Sequence, residues 1–388
     1  MKFKLLPIFD NINQLHKNHD HAVLPDIHFQ NDFNYCLNFL KSYTGSQGTF
    51  NSYRRETERL LQWSWLVKNR PLIELKKDDI EQYIHFCQNP PKSWISLKKV
   101  PRFIEKEGTR VPNKEWRPFV VTLSKVALKN GHRPEIDQFN LSQGAIQEIF
   151  AILSTLFNFL IAEEYLVSNP IALIRQKSKF IRKRQQTPPV RRLSIVQWNA
   201  VLHAAETLAT ESPEKHEITR FMLSILFGMY LRISELAASP RWIPSMNDFA
   251  KDSNGHWWFT TVGKGNKERI IPCNSILLTK LLAYKDAKRH AMQQYDAEVL
   301  FVSEKGKKLY PKSVYNSVRK YLDPATTIEK RSPHVLRHTF ATHLMNEGAD
   351  LNAVKELLGH SSLAATQVYT HNTIEKLKDV FKKAHPKA

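Results

Sequence analysis

The stretch Ser332–Arg337 combines residue types that could bind a phosphate group. Ser332 and Pro333 are typical of a helix start, so His334 and Arg337 would lie in the first turn of a helix. Residues three apart share one face of a helix. The N-terminus of a helix attracts anions, and a histidine and an arginine there would strengthen that attraction. The spacing therefore predicts an anion pocket that fits a phosphate.

A second segment places polar groups where they could meet the same anion. Leu357–His360 ends one predicted helix, Ser361 and Ser362 begin the next, and Tyr369 lies on that next helix. His360 would therefore occupy a corner between two helices, where its side chain can point at a ligand.

A third segment, farther upstream, contributes an arginine. The apolar pattern predicts a buried helix over residues 217–238, and Arg232 lies near its end, with Glu235 one turn further on. Glu235 could therefore orient Arg232 towards an anion. Taken singly, an arginine at a helix end is usually a surface cation, and a tyrosine at helical spacing is usually a core residue.

The elements that would position these residues form a mainly helical domain that begins at Leu193. Ser194 is predicted to cap a helix that runs to about Leu208. Further helices are predicted over 275–291, 312–322, 334–346, 352–358 and 363–370. β-Rich runs at 256–262 and 269–272 flank the turn Gly263–Asn266, which predicts a hairpin and one small antiparallel sheet.

The N-terminal half is also predicted to be helical, because apolar residues recur at helical spacing over 29–86 and 141–167. Residues 88–140 are broken by prolines, and the interpretation stays open: an insertion or an irregular subregion that faces DNA, or a surface elaboration without a defined role. The predicted organisation is an N-terminal arm (1–27), a helical domain (28–174) with that insertion, a basic linker (175–192), a second domain (193–372) and a tail helix (373–388).

The charge balance points to a polyanionic partner. Of the 388 residues, 57 are Lys or Arg and 37 are Asp or Glu, which gives a net charge of +20. A chain this basic makes nucleic acid the first partner to consider. Residues 175–192 carry eight basic residues and no acidic one, so we expect a linker, either in contact with DNA phosphates or solvated as a tether.

The cysteine count and the apolar runs exclude other classes. Cys36, Cys87 and Cys273 are few and far apart, which argues against a disulfide framework and a four-thiolate zinc site and fits a reducing compartment. The longest apolar run, 221–231, is too short to span a bilayer, and no signal peptide is recognisable. We expect a cytoplasmic, nucleoid-associated protein of prokaryotic type with no membrane partner.

Four segments, in this order along the chain, resemble the motifs of the tyrosine recombinase (phage integrase) family. They are Tyr230–Leu236, Gly263–Arg269, His334–His343 and Leu358–Ser362, the last followed by Tyr369–His371. The resemblance covers about 193–372, and the helical pattern over 29–170 looks like the family's core-binding domain. It implies a mainly α, two-domain DNA clamp, with a small antiparallel β-sheet in the C-terminal catalytic domain and a helical N-terminal core-binding domain.

The resemblance assigns the nucleophile and its cationic partners. Tyr369 would attack the scissile phosphodiester, leaving a 3′-phosphotyrosyl link and a free 5′-hydroxyl. Arg232 and Arg337 would bind the non-bridging oxygens, because a guanidinium fork matches phosphate geometry and stays charged.

The resemblance also assigns the proton transfers. Lys264, at the hairpin tip, would protonate the leaving 5′-oxygen, with Lys267 as the rival for that role. His334 would act as an acid or base, and His360 would hydrogen-bond the phosphate.

Neither a metal nor a cofactor is expected. His334 and His338 have the spacing of metal ligands on a helix, but Val335 stands where a metalloprotease would have its glutamate, and no third ligand is implied. The protein–DNA ester conserves the energy of the broken bond, so rejoining would need no nucleotide and no metal.

Some features depart from the family pattern or leave the biological role open. Tyr230 stands where the family usually has glycine, and 239–242 interrupts the path to the next strand. The N-terminal half is larger than in the chromosome-dimer resolvases of the family, which favours a mobile-element integrase. The alternatives are a chromosome-dimer or plasmid resolvase, a type IB topoisomerase, and a DNA-binding regulator that kept the fold.

The expected partner is double-stranded DNA that carries recombination sites. The tail places Ile374, Leu377 and Val380 or Phe381 on one face of a lysine-rich helix. In the family such a tail docks on the neighbouring protomer, which implies a homotetramer on two DNA sites. The alternative is that the tail packs on its own domain. Accessory DNA-bending proteins could assist.

Overall fold

A computed structural model describes residues 4–15, 27–123, 130–177, 192–239, 242–263, 266–291, 298–303, 305–325 and 333–359. The chain divides into two compact units, Met1–Gln186 and Thr187–Ala388, each with its own hydrophobic core. The division falls inside the predicted linker (175–192), whose first residues end a helix and whose residues 178–191 lie outside the described part.

The described part of the N-terminal unit is mainly helical. Its helices are α1 (Ile27–Lys41), α2 (Gln47–Trp63), α3 (Lys77–Gln88), α4 (Gln143–Ala162) and α5 (Pro170–Lys177). The predicted long helix is α4. It begins where the Ser142 hydroxyl accepts a hydrogen bond from the Ala145 backbone N–H.

Helix α4 is long and apolar enough to cross a membrane by length and composition alone. Its Ile149, Leu153 and Leu156 nevertheless belong to the core of the N-terminal unit, where α4 packs against α1 and α2. A buried core helix meets the same length and composition criteria.

The described part of 88–140 forms short strands and contributes side chains to the core, so it is neither irregular throughout nor a mere surface elaboration. That this segment is an insertion and that it faces DNA stay predictions. Strand β1 (Ile95–Ser96) pairs in parallel with β4 (Phe119–Val120), and β2 (Phe103–Lys106) pairs with β3 (Thr109–Pro112) in an antiparallel hairpin. Trp94, just before β1, is buried in the same core as α4. These strands are only two to four residues long, so no alternating pattern could reveal them.

Residues 4–15, expected to be part of a loosely held arm, pack against the N-terminal unit. The Phe9 side chain is buried, and its backbone N–H donates to the Glu58 carboxylate at 3.0 Å. The Asp10 carboxylate accepts from Arg110 Nε at 2.6 Å, which fixes this segment to strand β3. The expectation fails here because the segment's apolar and acidic side chains have partners far away in sequence.

The C-terminal unit is mainly helical as well. Its described helices are α6 (Ile195–Glu211), α7 (Pro213–Gly228), α8 (Ile233–Leu236), α9 (Ser275–Ala291), α10 (Pro311–Ala325), α11 (Pro333–Asn346) and α12 (Leu351–Leu358). Helix α7 lies at the centre and packs against α6 and α9. Ser194 caps α6 through the Gln197 backbone N–H, as predicted.

One three-stranded antiparallel sheet completes the C-terminal unit. Its order is β5 (Phe249–Lys251), β6 (Trp257–Val262) and β7 (Glu268–Cys273). The predicted hairpin is formed by β6 and β7, and β5 was not predicted. The predicted fold class, mainly α with a small antiparallel sheet in the C-terminal unit, is confirmed.

The predicted helix over 217–238 is wrong, because the chain breaks in its middle. Helix α7 ends at Gly228, Tyr230 has a left-handed backbone (φ 56°), and the chain resumes as the short helix α8. Arg232 therefore precedes a helix instead of ending one. Apolar residues continue through the break, so periodicity alone could not show it.

Candidate active site

Glu235 and Arg232 form the centre of the site. The Arg232 backbone N–H donates to Glu235 Oε2 at 2.7 Å, and Arg232 Nη1 donates to Oε1 at 2.7 Å. This is a capping box at the start of α8, in which the third helical residue bonds back to the cap. Glu235 is completely buried, so it holds the Arg232 guanidinium in one orientation, as the sequence predicted.

Two more guanidinium groups approach the same carboxylate. Arg269 Nη2, from strand β7, donates to Glu235 Oε2 at 2.6 Å, and Arg337 Nη1 lies 3.9 Å from that oxygen. Burial and the nearby Arg232 charge lower the pKa of Arg269. Three cations around one buried anion produce a positive potential that favours a further anion.

Arg337 is almost fully buried, with 4% of the residue exposed. Its Nη1 donates to the backbone carbonyl of Tyr230, and its Nη2 donates to the backbone carbonyl of Leu358. These carbonyls belong to the turn before Arg232 and to the end of α12. Arg337 thus joins three elements that carry predicted site residues.

The turn at Tyr230 explains the glycine of the family pattern. A φ of 56° is one that glycine adopts without strain, whereas a tyrosine pays about 1–2 kcal/mol. The Tyr230 ring packs on Phe340 of α11, with the ring centroids 4.4 Å apart. This contact offsets part of the strain and keeps the Tyr230 carbonyl directed at Arg337.

Arg232 and His334 line one cleft of about 400 Å³. Lys312 and Tyr315, from the first turns of α10, line it too. The sequence analysis missed these two residues, because nothing in their local pattern distinguishes them from other surface residues of a helix start. The cleft combines positive charge with room for a phosphodiester.

The surroundings of His334 favour its neutral imidazole over the charged form. Partial burial, then the charges of Arg337 and Arg232, lower its pKa below the ordinary value of 6.5, against an opposing effect of Glu235. A neutral imidazole can accept a proton, which fits the predicted acid–base role.

We therefore expect the His334 ring to titrate below pH 6.5 in the free protein. The unfolded chain would take up this proton first, so the group disfavours the folded state as the pH falls through 6.5. A bound phosphodiester adds negative charge and should raise the pKa. Two-dimensional NMR of the ring protons, assigned with a His334→Gln variant, measures both values. Titration of the free protein at or above 6.5 would contradict the expectation.

The hairpin tip carries Lys264, which lies outside the described residues, as does Gly265. Gly263, just before them, lies close to the central carboxylate, and a Cβ there would come within 3.1 Å of Glu235 Oε1. A larger residue at 263 would therefore force the Glu235 carboxylate to shift by a few tenths of an ångström. Lys267, the rival for the Lys264 role, has an exposed side chain.

The end of α12 approaches the same centre. Gly359 caps this helix in the left-handed conformation (φ 59°), and its carbonyl accepts from Arg232 Nη2 at 3.1 Å. His360 follows directly in sequence, but His360 and Tyr369 lie outside the described residues, as does the predicted tail (373–388).

The structure thus brings together three of the six predicted residues, Arg232, His334 and Arg337. The roles of the six residues stay predictions. Within the described ranges, no group of three His, Cys, Asp or Glu side chains could hold a metal ion, and the absence of a metal also stays a prediction.

We predict that Glu235→Gln destabilises the C-terminal unit by about 3–5 kcal/mol, as for other buried charges that lose their partner. The substitution leaves the three guanidinium groups to repel one another without their shared anion. Glu217→Gln is the matched control, since Glu217 is also buried but forms its ion pair with the single guanidinium of Arg220, with Lys280 acting on it from farther away. Urea unfolding of both variants measures the difference, and equal losses would contradict the central role of Glu235.

Comparison with known proteins places the chain in one family. The phage integrase family model matches residues 191–376. The tyrosine recombinase XerC of Chlorobaculum parvum is 32% identical over 282 residues, which covers 70% of this chain and 81% of that protein. XerC of Leptospira interrogans is 31% identical over 315 residues, covering 78% of this chain and 89% of that protein.

Solved structures show the same fold at lower identity. XerH site-specific recombinase bound to palindromic difH substrate is 18% identical with a TM-score of 0.58, and the match covers 98% of both chains. The Tn1549 transposon integrase in complex with circular intermediate DNA is 17% identical with a TM-score of 0.54, covering 89% of this chain and 97% of that one.

The fold and these relatives define a class of enzymes that cleave and rejoin DNA. The chain belongs to the tyrosine recombinase (phage integrase) family, whose members cleave and rejoin DNA in site-specific recombination.

Proposed function

We propose that this protein recombines DNA at specific sites through a 3′-phosphotyrosyl intermediate on Tyr369. The observation that carries the proposal is the convergence of Arg232 and Arg337 on the buried Glu235, beside a cleft that Arg232 and His334 line. A phosphodiester carries one negative charge, and its five-coordinate transition state concentrates more on the non-bridging oxygens. Fixed guanidinium groups stabilise that developing charge, typically by several kcal/mol each.

The proposed reaction exchanges one ester for another. The Tyr369 oxygen forms a bond to phosphorus as the bond to the 5′-oxygen breaks. His334 accepts the phenolic proton, Lys264 delivers a proton to the leaving oxygen, and His360 donates a hydrogen bond to the phosphate. Reversal by the 5′-hydroxyl of another strand rejoins the DNA.

We predict that Lys264→Ala loses most of its cleavage activity on normal DNA and regains it on DNA with sulfur at the 5′-bridging position. A thiolate leaves without a proton, so the acid is no longer needed. Single-turnover cleavage of the paired substrates measures the rescue. Lys267→Ala is the matched control and should behave like the wild type on both; rescue of Lys267→Ala in place of Lys264→Ala would move the role to Lys267.

The direct test is covalent trapping. The wild-type protein is incubated in EDTA with sheared genomic DNA of its source and then denatured. DNA fragments that share one short sequence should stay covalently attached to it. Sequencing the trapped fragments maps the site. No trapped DNA, or trapping that requires a divalent metal, would overturn the proposal. Relaxation by a monomer of a supercoiled plasmid that lacks the mapped site would instead indicate a topoisomerase.

For the biological role we propose resolution of chromosome or plasmid dimers in the cytoplasm. Relatives named XerC support this role, with more than two thirds of this chain aligned. The size of the N-terminal half no longer favours a mobile-element integrase, since XerH matches 98% of both chains. Integration of a mobile element remains the second candidate, and a mapped site at the ends of an inserted element would establish it.

We further propose that the active form is a homotetramer on two double-stranded DNA sites, linked by the tail (373–388). The net charge of +20 supports a large DNA contact. Mass photometry of the protein with duplex of the mapped site should show four subunits on two duplexes. Removal of the tail should leave monomers or dimers on DNA, and an intact tetramer after removal would refute the proposed linkage. If recombination by the purified protein requires the addition of crude extract, accessory DNA-bending proteins are involved.

A further inference from the structure

Arg269 lies on strand β7, opposite Thr261 of β6, and its side chain is mostly buried, with 13% exposed. Its guanidinium spans two elements that are distant in sequence. Nη2 donates to Glu235 Oε2 at 2.6 Å, and Nη1 donates to the Leu357 carbonyl at 2.5 Å. Arg269 therefore ties the hairpin to α8 and to the end of α12 at the same time.

Gly359, which caps α12, lies close to this guanidinium. A Cβ at Gly359 would lie 3.1 Å from Arg269 Nη1 and 3.2 Å from its Cδ. Glycine at 359 thus satisfies two requirements, the left-handed backbone and the room for Arg269. The next residue in sequence is His360.

Four hydrogen bonds form a ring at this point, which the backbone of residues 357–359 closes. Arg269 bonds to Glu235, Glu235 to Arg232, and Arg232 to the Gly359 carbonyl, while Arg269 bonds to the Leu357 carbonyl two residues earlier. The Thr261 hydroxyl adds a fifth contact by donating to the Glu235 backbone carbonyl at 3.2 Å. The ring joins strand β7, helix α8 and the end of α12, and each of these elements carries or adjoins a predicted catalytic residue.

Arg269 does not line the cleft that Arg232 and His334 share, and the two hydrogen bonds given above are directed at the protein. A lysine could not replace it, because one ammonium group cannot span a carboxylate and a carbonyl in the way a planar fork can.

We propose that Arg269 is a positioning residue for DNA cleavage: it fixes Arg232, through Glu235, and the Gly359 backbone relative to the hairpin that carries Lys264. The inference rests on the proposed function. It assigns to Arg269, the last residue of the segment Gly263–Arg269, a role distinct from the proton transfer proposed for Lys264.

The test is a double-mutant cycle in single-turnover cleavage of duplex DNA that contains the mapped site. Arg269→Gln should slow cleavage by about 10- to 100-fold, by analogy with the partners that orient metal ligands in metalloenzymes, and leave DNA affinity almost unchanged. Arg232→Lys should slow it as well. Because Arg269 acts through Arg232, the double variant should be scarcely slower than Arg232→Lys alone. Losses from two independent structural defects would instead multiply.

Arg220→Gln is the matched control, since Arg220 is a partly buried arginine of the same unit that pairs with Glu217, and it should cleave at the wild-type rate. Circular dichroism and thermal unfolding confirm that each variant is folded, and Arg269→Lys replaces Arg269→Gln if the latter unfolds. Three outcomes would each overturn this inference, provided that the wild type still cleaves. They are cleavage at the wild-type rate by the Arg269 variant, rate losses that multiply in the double variant, and weakened DNA binding by the Arg269 variant. A wild type that forms no covalent complex would instead remove the proposed function, and the inference with it.

Discussion

Tyr369→Phe should bind the mapped DNA site with unchanged affinity and form no covalent complex. The substitution removes one oxygen and leaves Arg232, which lines the cleft, and the neighbouring Arg337 in place to bind the phosphate. A phenol has a pKa near 10, so its attack depends on neighbouring cations and a proton acceptor, whereas binding does not. Gel-shift titration measures affinity, and a denaturing gel of the same samples measures covalent complex.

Tyr315→Phe is the matched control, because Tyr315 is a tyrosine that lines the described cleft with Arg232 and His334. Its variant should keep the covalent complex. The reverse outcome, a complex trapped with Tyr369→Phe and lost with Tyr315→Phe, would move the nucleophile to helix α10.

The sequence predicted those parts of the site that depend on local patterns. The pair Arg232 and Glu235 lies within one turn, and the hairpin follows from the glycines and asparagine of Gly263–Asn266. The glycine cap at 359 is a local signal too. In each case a few consecutive residues contain the whole structural cause.

The parts that sequence reasoning missed depend on contacts between distant segments. Arg269 meets Glu235 across 34 positions and Leu357 across 88, so neither bond leaves a trace in local spacing. The break at Tyr230 is hidden because both flanking segments are buried and apolar. A resemblance to family motifs indicates which residues act, but the ring around Glu235 shows how they are held.

Arg337→Lys should reduce the cleavage rate by about 10²- to 10³-fold, the loss typical of removing a donor to a developing oxyanion. The positive charge is kept, so a large loss of cleavage rate would show that the planar geometry of the guanidinium group matters. Lysine has one ammonium group, which cannot hold the Tyr230 and Leu358 carbonyls and also reach a phosphate. Single-turnover cleavage at saturating protein measures the rate without interference from binding.

The same substitution should destabilise the unit by about 1–3 kcal/mol, because a carbonyl in this buried region loses its donor. The effects on rate and on stability are separable. Tight DNA binding stabilises the folded variant and restores its population, but it does not restore the missing guanidinium group. A loss of rate that persists at saturating DNA and at low temperature therefore belongs to the chemistry. Arg319→Lys, at an exposed pair with Asp323, should change stability by less than about 1 kcal/mol and leave cleavage intact. Near-wild-type cleavage by Arg337→Lys would mean that this arginine contributes charge alone, and that its two carbonyl bonds serve the fold and not the phosphate.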